Sequence, residues 1–322
     1  MSTFPEYVLL GDIGGTNARL ALATKSVLGP VTSFEVNRFA RFTDVVDLFL
    51  REDRDRSRLS HALFAIAAPI HGERCLLTNS PWVIDAIELQ ATFGLRSQFV
   101  NDFAAVAHSL PLLGPADLAK VGGGAADKTS PMAVLGPGTG LGVACLVRRA
   151  DQPVVIASEG GHATLAATCD REDQIIQHLR QRFGHASAER AVSGPGLENI
   201  YLAIRALDKV ETKLQNATQI TRSALRGECK IAVEALNVFC AFLGSFAGNM
   251  ALTFDARGGV YIAGGISPRI VNFMRRSQFR ARFEAKGRFR EYLKAIPLNV
   301  ITHPAAAFVG LTSISRTVES GS

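Results

Sequence analysis

Apolar runs separated by glycine and polar turn residues open the chain, and residues 7–10, 18–23 and 31–39 read as a β-meander. A helix follows, with Thr43 as N-cap for the apolar periodicity of Val45, Val46, Leu48, Phe49 and Leu50. Next come the runs LFAIAAP (63–69) and CLLTN (75–79), a helix around 84–93, the run QFVND (98–102), and an apolar helix ending near Leu113. This alternation of strand and helix is that of an α/β domain.

Residues 114–131 are rich in Gly, Ala, Asp and Lys and contain Gly122-Gly123-Gly124, which predicts a domain boundary near the start of that segment. Beyond it, residues 132–135, 142–148 and 154–158 read as strands and most of 170–254 as helices. VYIAGG (260–265) reads as a buried strand leading to a helix that Pro268 starts. NVITH (299–303) is one more strand, and Pro304 opens a terminal helix, 305–317, that returns to the first domain. The expected division is a small α/β domain, 1–113 plus 303–322, and a large one, 114–302.

At 322 residues the chain exceeds the size at which one core usually divides, which favours two domains. Hydrophobic residues at 47% and charged residues at 20% describe a soluble globular protein. The first residues lack a basic segment followed by an apolar stretch and a cleavage site, so no secretory signal is expected. The longest apolar run, 235–247, is interrupted by Asn237 and is too short for a bilayer, which predicts a buried helix and no membrane association. Cys75, Cys145, Cys169, Cys229 and Cys240 are scattered without C-x-x-C spacing, which argues against disulfides and structural zinc and fits a reducing cytoplasm. The net charge of +6 would suit an anionic ligand. Much of the basic charge lies in 269–294, a helix-like stretch read as a solvated face rather than a nucleic-acid surface.

Candidate chemistry begins at LGDIGGTNARLAL (10–22), where a glycine-rich turn joins two strand-like runs. Gly14 and Gly15 allow backbone N–H groups to approach an anion without a Cβ in the way, and Thr16 and Asn17 add side-chain donors. Asp12, at the end of the first strand, can hold a hydrated Mg²⁺ that shares nucleotide phosphates. LGPGTGLGVACL (135–146) is a looser echo: strand, glycine-rich turn with Thr139, strand. Two such hairpins facing each other across a cleft would grip a nucleoside triphosphate. VYIAGGI (260–266) ends in Gly264-Gly265, which suits either close strand–helix packing or a flat ring such as adenine lying on the backbone.

Asn101-Asp102 follows an apolar strand and precedes a helix, at the strand end where α/β domains bind ligands. Asp102 can accept a proton from a hydroxyl and Asn101 can fix the substrate, although both are also preferred N-cap residues. SEGGHATLA (158–166) brings Glu159 and His162 around a glycine pair, where metal ligation lacks a convincing third ligand. His185 and Glu189 are four apart, a spacing that on a helix shares one face, and Glu189 reads as a second sugar-facing acid or a surface ion pair. Trp82 reads as packing, with Asn79 an outside candidate ligand.

With these motifs in this order, nearly the whole chain resembles the bacterial glucokinases, the ATP-dependent hexokinase group of the actin-like ATPase superfamily. GDIGGTNARLAL is similar to that family's first phosphate hairpin, GPGTGLGVA (136–144) to its second, and VYIAGGI to its adenosine segment. VNDFAAV, SEGGH and SAERAVSGPGL are similar to its hexose-binding set. The resemblance implies an α/β, two-domain actin-like (hexokinase/ribonuclease H-like) fold with an interdomain cleft. It implies phosphorylation of glucose at the 6-hydroxyl by ATP, the first step of glycolysis, in a cytoplasmic homodimer. Asp102 would be the general base; Asn101, Glu159, His162 and Glu189 would hold other hydroxyls. Gly14, Gly15, Thr16, Asn17, Gly138, Thr139, Gly140, Gly264 and Gly265 would contact ATP, and Asp12 would lie near Mg²⁺. Pro137 departs from the small residue common in the second hairpin and removes an N–H donor. The cysteine-rich zinc motif of the related repressor/kinase group is missing. A rival reading is an actin-like nucleotide switch or sugar sensor without kinase activity, which has no need of Asn101-Asp102 or Glu159 and His162. An NAD-binding dehydrogenase fits worse, because no G-x-G-x-x-G follows the first strand.

Overall fold

Two-residue periodicity with apolar residues on both faces makes the N-terminal run the centre of a sheet. In the computed structural model, which describes residues 7–24, 27–51, 59–70, 72–77, 80–211 and 213–317, that run is β1 (Tyr7–Ile13). Leu9 and Ile13 enter one core, with Phe42, Val45 and Trp82, while Val8 and Leu10 enter a second on the opposite face. β2 (Asn17–Ala23) returns antiparallel to β1, with Asp12 opposite Arg19, and β3 (Thr32–Glu35) pairs outside β2.

After α1 (Phe42–Arg51), β4 (Leu59–Ile66) lies parallel to β1. β5 (Arg74–Leu76) and β6 (Val83–Asp85) form a separate ribbon. Asp85 caps α2 (Ala86–Phe93) by accepting from the Ile87 and Glu88 amides, and Gly94 ends it in a left-handed conformation at φ 73°. β7 (Arg96–Asn101) then completes the sheet parallel to β4, in the order β3-β2-β1-β4-β7, and leads directly into α3 (Asp102–Ser109). Asn79 lies outside the described residues.

Contacts divide the chain into Met1–Leu113 with Pro304–Ser322, and Gly114–His303. The second unit repeats the topology of the first. β8 (Leu118–Gly122) is followed by β9 (Met132–Pro137), β10 (Leu141–Val147) and β11 (Val154–Ser158), an antiparallel meander equivalent to β1 to β3. Then come α4 (Asp170–Phe183), α5 (Gly194–Asp208), α6 (Ala217–Arg226) and α7 (Lys230–Thr253). β12 (Val260–Ile262) inserts parallel to β9, and after α8 (Ser267–Arg276), α9 (Phe279–Glu284) and α10 (Arg290–Ala295), β13 (Leu298–Ile301) lies parallel to β12. The order β11-β10-β9-β12-β13-β8 reproduces the first sheet with one strand added. The sequence echo between residues 10–22 and 135–146 thus marks corresponding hairpins of two like-built sheets.

α11 (Ala306–Thr317) belongs to the first unit and packs on α3. Gly310 is needed there, because a Cβ would run into the Ala105 carbonyl, and Phe308 and Leu311 are fully buried beside Ala105 and Leu10.

Several expectations are corrected. The glycine-rich segment 114–131 contains a strand, β8, which is defined by pairing with distant β13. Strand structure in 31–39 stops at Glu35 and gives way to a 3₁₀ turn, Val36–Arg38. The apolar run 235–247 is the middle of a 24-residue helix, α7, so contrary to expectation its length is not below that of a membrane span, while its expected burial holds, since it lies mostly in the core of the second unit. The basic stretch 269–294 is three short helices rather than one; Arg269, Arg275, Arg276, Arg288, Arg290 and Lys294 are exposed, as expected of a solvated face, but two arginines turn inward. Arg280 pairs with Glu284 and donates to the carbonyls of Leu293, Lys294 and Ile296, and Arg282 pairs with the buried Glu172. Those arginines close helix ends and neutralise a buried acid.

Candidate functional site

In the first unit the register puts the chemistry at one edge. Ile13 pairs with Ile66 and Ile66 with Asn101, so the turn after β1 and the turn after β7 leave the carboxyl ends of parallel strands at the same level. Two interstrand spacings separate them, about 10 Å. Crevices at such strand ends are the usual ligand sites of α/β sheets. In the hairpin turn, Gly14 N donates to Asn17 O at 3.0 Å, which pins the loop that carries Gly15 and Thr16.

Asp12 is mostly buried and paired with Arg19, which also donates to Pro304 O and lies over the Phe308 ring. Arg19 is a partner that motif reading missed; its signal was its place directly across the strand pair from Asp12. Among the described residues no group of three or more His, Cys, Asp or Glu could hold a metal ion. A single carboxylate suits Mg²⁺, which keeps waters and shares phosphate oxygens rather than occupying an all-protein cage.

Asn101 is the N-cap of α3. Its Oδ1 accepts from Ala104 N at 3.1 Å, and Asp102 Oδ1 accepts from Phe103 N at 2.9 Å. The capping and chemical readings are compatible: the helix start engages the single side-chain oxygen of Asn101, not its Nδ2 amide, and one carboxylate oxygen of Asp102, and orients both residues at the strand end. Burial holds the His108 imidazole on the same helix below its ordinary value, so α3 carries no buried positive charge at neutral pH.

In the second unit the predicted residues gather around one turn. β9 and β10 end at Pro137 and Leu141, leaving Gly138, Thr139 and Gly140 as the loop. Pro137 sits in the last strand pair, so its missing N–H falls at the base of the turn rather than within it. Gly138 N donates to Gly140 O, and Gly194 N, at the start of α5, donates to Gly138 O, both at 2.8 Å. Gly264 adopts a left-handed φ of 83°, and a Cβ there would overlap the Pro137 carbonyl. Gly265 faces open space, with nothing within 4 Å of a Cβ. The Gly138–Gly140 turn and the Gly264-Gly265 pair are thus neighbours at the ends of parallel β9 and β12.

Glu159 and His162 flank a single 3₁₀ turn, Gly160–His162, with carboxylate and imidazole 3.8 Å apart and more than half exposed. Gly161 packs so closely on the Leu141 carbonyl that no side chain fits. Glu189 does not share a helix face with His185. Gly184 ends α4 at φ 76°, His185 bonds Thr164 Oγ1 at 3.0 Å, and Glu189 lies in the 3₁₀ turn Ala188–Arg190. Its Oε2 accepts from Leu141 N at 2.9 Å, so a surface ion pair is not its role. Ser193, which carries no motif signal beyond its place before a helix, donates from Oγ to Glu189 O and accepts there from Gly196 N, fixing that turn against α5.

Comparison with known proteins follows the same outline. A family profile described as "Glucokinase" matches residues 9–318. A glucokinase of Paramagnetospirillum magneticum is 45% identical over 314 residues, covering 96% of this chain and 97% of that protein. Among solved structures, a glucokinase from an Antarctic psychrotroph aligns with a TM-score of 0.83 and 35% identity, over 97% of this chain and 99% of that one. A ROK-family glucokinase from Streptomyces griseus, in complex with glucose and AMPPNP, shares the fold with a TM-score of 0.64 at 16% identity, over 97% and 99% of the two chains.

Proposed function

The chain belongs to the glucokinase family, and from that premise we propose the residues with which it carries out ATP-dependent phosphorylation of glucose. Its α/β fold is that of the actin-like sugar kinases. Asp102 takes the proton from the glucose 6-hydroxyl while that oxygen attacks the γ-phosphorus of ATP, giving glucose 6-phosphate and ADP. In-line phosphoryl transfer asks little covalent chemistry of a protein, so positioning and charge stabilisation are what the remaining residues supply.

Asn101, Glu159, His162 and Glu189 hold the other hydroxyls. Each hydroxyl that meets a matched donor or acceptor penalises an analogue lacking it, because the protein group is then left unpaired. Backbone amides of the turns carrying Gly14, Gly15, Thr16 and Asn17 and carrying Gly138, Thr139 and Gly140 bind phosphate oxygens, and the open face of Gly265 accepts the adenine ring. Gly264 contributes by close packing. Asp12 would hold Mg²⁺ through its waters, and that ion supplies charge neutralisation on the phosphates. The protein is assigned to the cytoplasm as a homodimer, in line with its thiol usage and the family resemblance.

The observation that carries this reading is the Asn101-Asp102 pair held at the carboxyl end of β7 by its own helix cap, level with the first glycine hairpin. A hexose and phosphoryl-donor panel followed by product formation tests the substrate. Glu159→Gln is expected to raise the glucose KM on the order of tenfold or more and the ATP KM far less. Equal changes in the two would make Glu159 structural.

A further inference from the structure

The Gly138–Gly140 hairpin is held by one of the residues proposed above for the sugar, Glu189. Leu141, its first residue after the turn, is engaged at both ends of its backbone. Its N–H donates to Glu189 Oε2 at 2.9 Å, and its carbonyl is backed by Gly161, whose missing side chain permits the approach. Gly140 is constrained from the same side, since a Cβ there would lie 2.5 Å from Glu189 Oε2. The Glu189 turn is itself tied to the N-terminus of α5 through Ser193, and Gly194 N of that helix donates to Gly138 O. One carboxylate therefore stands between two binding functions: Oε2 is committed to the hairpin, which leaves Oε1 for a sugar hydroxyl.

We propose that Glu189 is a positioning residue for the nucleotide as well as a sugar ligand, setting the phosphate hairpin through Leu141 N so that sugar and nucleotide occupancy are coupled. This rests on the reading of Glu189 and the Gly138–Gly140 turn given above. A hydrogen bond from a backbone amide to a carboxylate is charge-assisted, which gives it the strength to hold a glycine-rich turn that has little rigidity of its own. Sugar bound on Oε1 would restrict the carboxylate, and the restriction passes along a single side chain to the amide that it holds. In the absence of sugar the hairpin is held less tightly, which lowers the chance that ATP is aligned for attack by water.

The test is the affinity of the full-length protein for AMPPNP with Mg²⁺, measured by calorimetry with and without glucose. Glu189→Ala is expected to weaken AMPPNP binding roughly tenfold even with no sugar present, the lower range for losing a hydrogen bond to a charged group. Glu189→Gln, which keeps an acceptor for Leu141 N, is expected to restore most of that affinity while still weakening glucose. In the wild type, glucose is expected to tighten AMPPNP by about fivefold or more, and Glu189→Ala to abolish that effect. Gly140→Ala, whose Cβ would meet Glu189 Oε2 and displace the carboxylate from Leu141 N, is expected to weaken AMPPNP binding and to abolish its tightening by glucose; unchanged AMPPNP affinity and coupling in that variant overturn the proposal if Glu189→Ala fails to fold.

Unchanged AMPPNP affinity in Glu189→Ala, or failure of Gln to restore a lost affinity, overturns the proposal. So does tighter AMPPNP binding in both variants, the result of merely removing a charge near phosphate. Lack of glucose phosphorylation by the wild type would instead refute the functional assignment beneath it.

Discussion

Gly264 and Gly265 are adjacent in sequence and opposite in what they tolerate, which makes them a matched pair for a stability measurement. At Gly264 an alanine meets two costs. The left-handed φ of 83° disfavours an L-residue by about 1–2 kcal/mol, and overlap with Pro137, whose carbonyl carbon would lie 2.8 Å from the new Cβ, adds about 1–3 kcal/mol. Gly264→Ala is therefore expected to lose roughly 2–5 kcal/mol, a large share of the stability of an ordinary domain. At Gly265 the new methyl enters open space with no positive φ, so Gly265→Ala is expected to change stability by less than about 0.5 kcal/mol. If the open space receives the adenine ring, that second variant should nevertheless weaken nucleotide binding. Urea unfolding followed by far-ultraviolet circular dichroism reads the first quantity, and calorimetric titration with AMPPNP reads the second. A Gly264→Ala protein as stable as the wild type, or a Gly265→Ala protein equally destabilised, would show that close approach to Pro137 does not require glycine at 264.

Phe308→Ala removes a fully buried ring between α11 and the first sheet and is expected to cost about 3–5 kcal/mol in the same unfolding assay; a loss under about 1 kcal/mol would mean that the C-terminal helix is not part of that core. Thiol reagents under native conditions should modify the exposed Cys169 quickly and spare Cys75, Cys145 and Cys240. Burial pushes the Cys145 thiol up to about 11 and that of Cys240 up to about 12, so neither supplies thiolate at neutral pH. Mass mapping of rapidly modified Cys240 would contradict the packing of α7.

Local pattern was enough wherever one residue and its near neighbours determine the outcome. The run from Leu9 to Ile13, interrupted by paired glycines and resumed from Ala18, specifies a hairpin whose faces alternate, and that hairpin is β1 and β2. The Asn101-Asp102 pair between an apolar run and a helix was legible as the start of that helix at a strand end, because both the cap and the strand end are set by adjacent residues. What escaped was set by distant partners. β8 went unread within the glycine-rich segment 114–131 because its strand character comes from pairing with β13 far along the chain. Glu189 looks like a helical neighbour of His185 until Gly184 ends α4 and delivers the carboxylate to Leu141, 48 residues earlier. Arg280 and Arg282 look like surface charge because the helix ends and the buried Glu172 that they serve are invisible to local spacing.

Asp102→Asn tests whether Asp102 is the group that removes the proton from the sugar. Asparagine keeps an Oδ1 that can accept from Phe103 N, so the start of α3 is preserved while the proton acceptor is lost. With glucose affinity determined by equilibrium titration and turnover by product formation, the expected result is a kcat lowered about 10²–10⁴-fold, or about 2.7–5.4 kcal/mol in the barrier, with glucose Kd changed by less than about threefold. A kcat within about threefold of the wild type would contradict it.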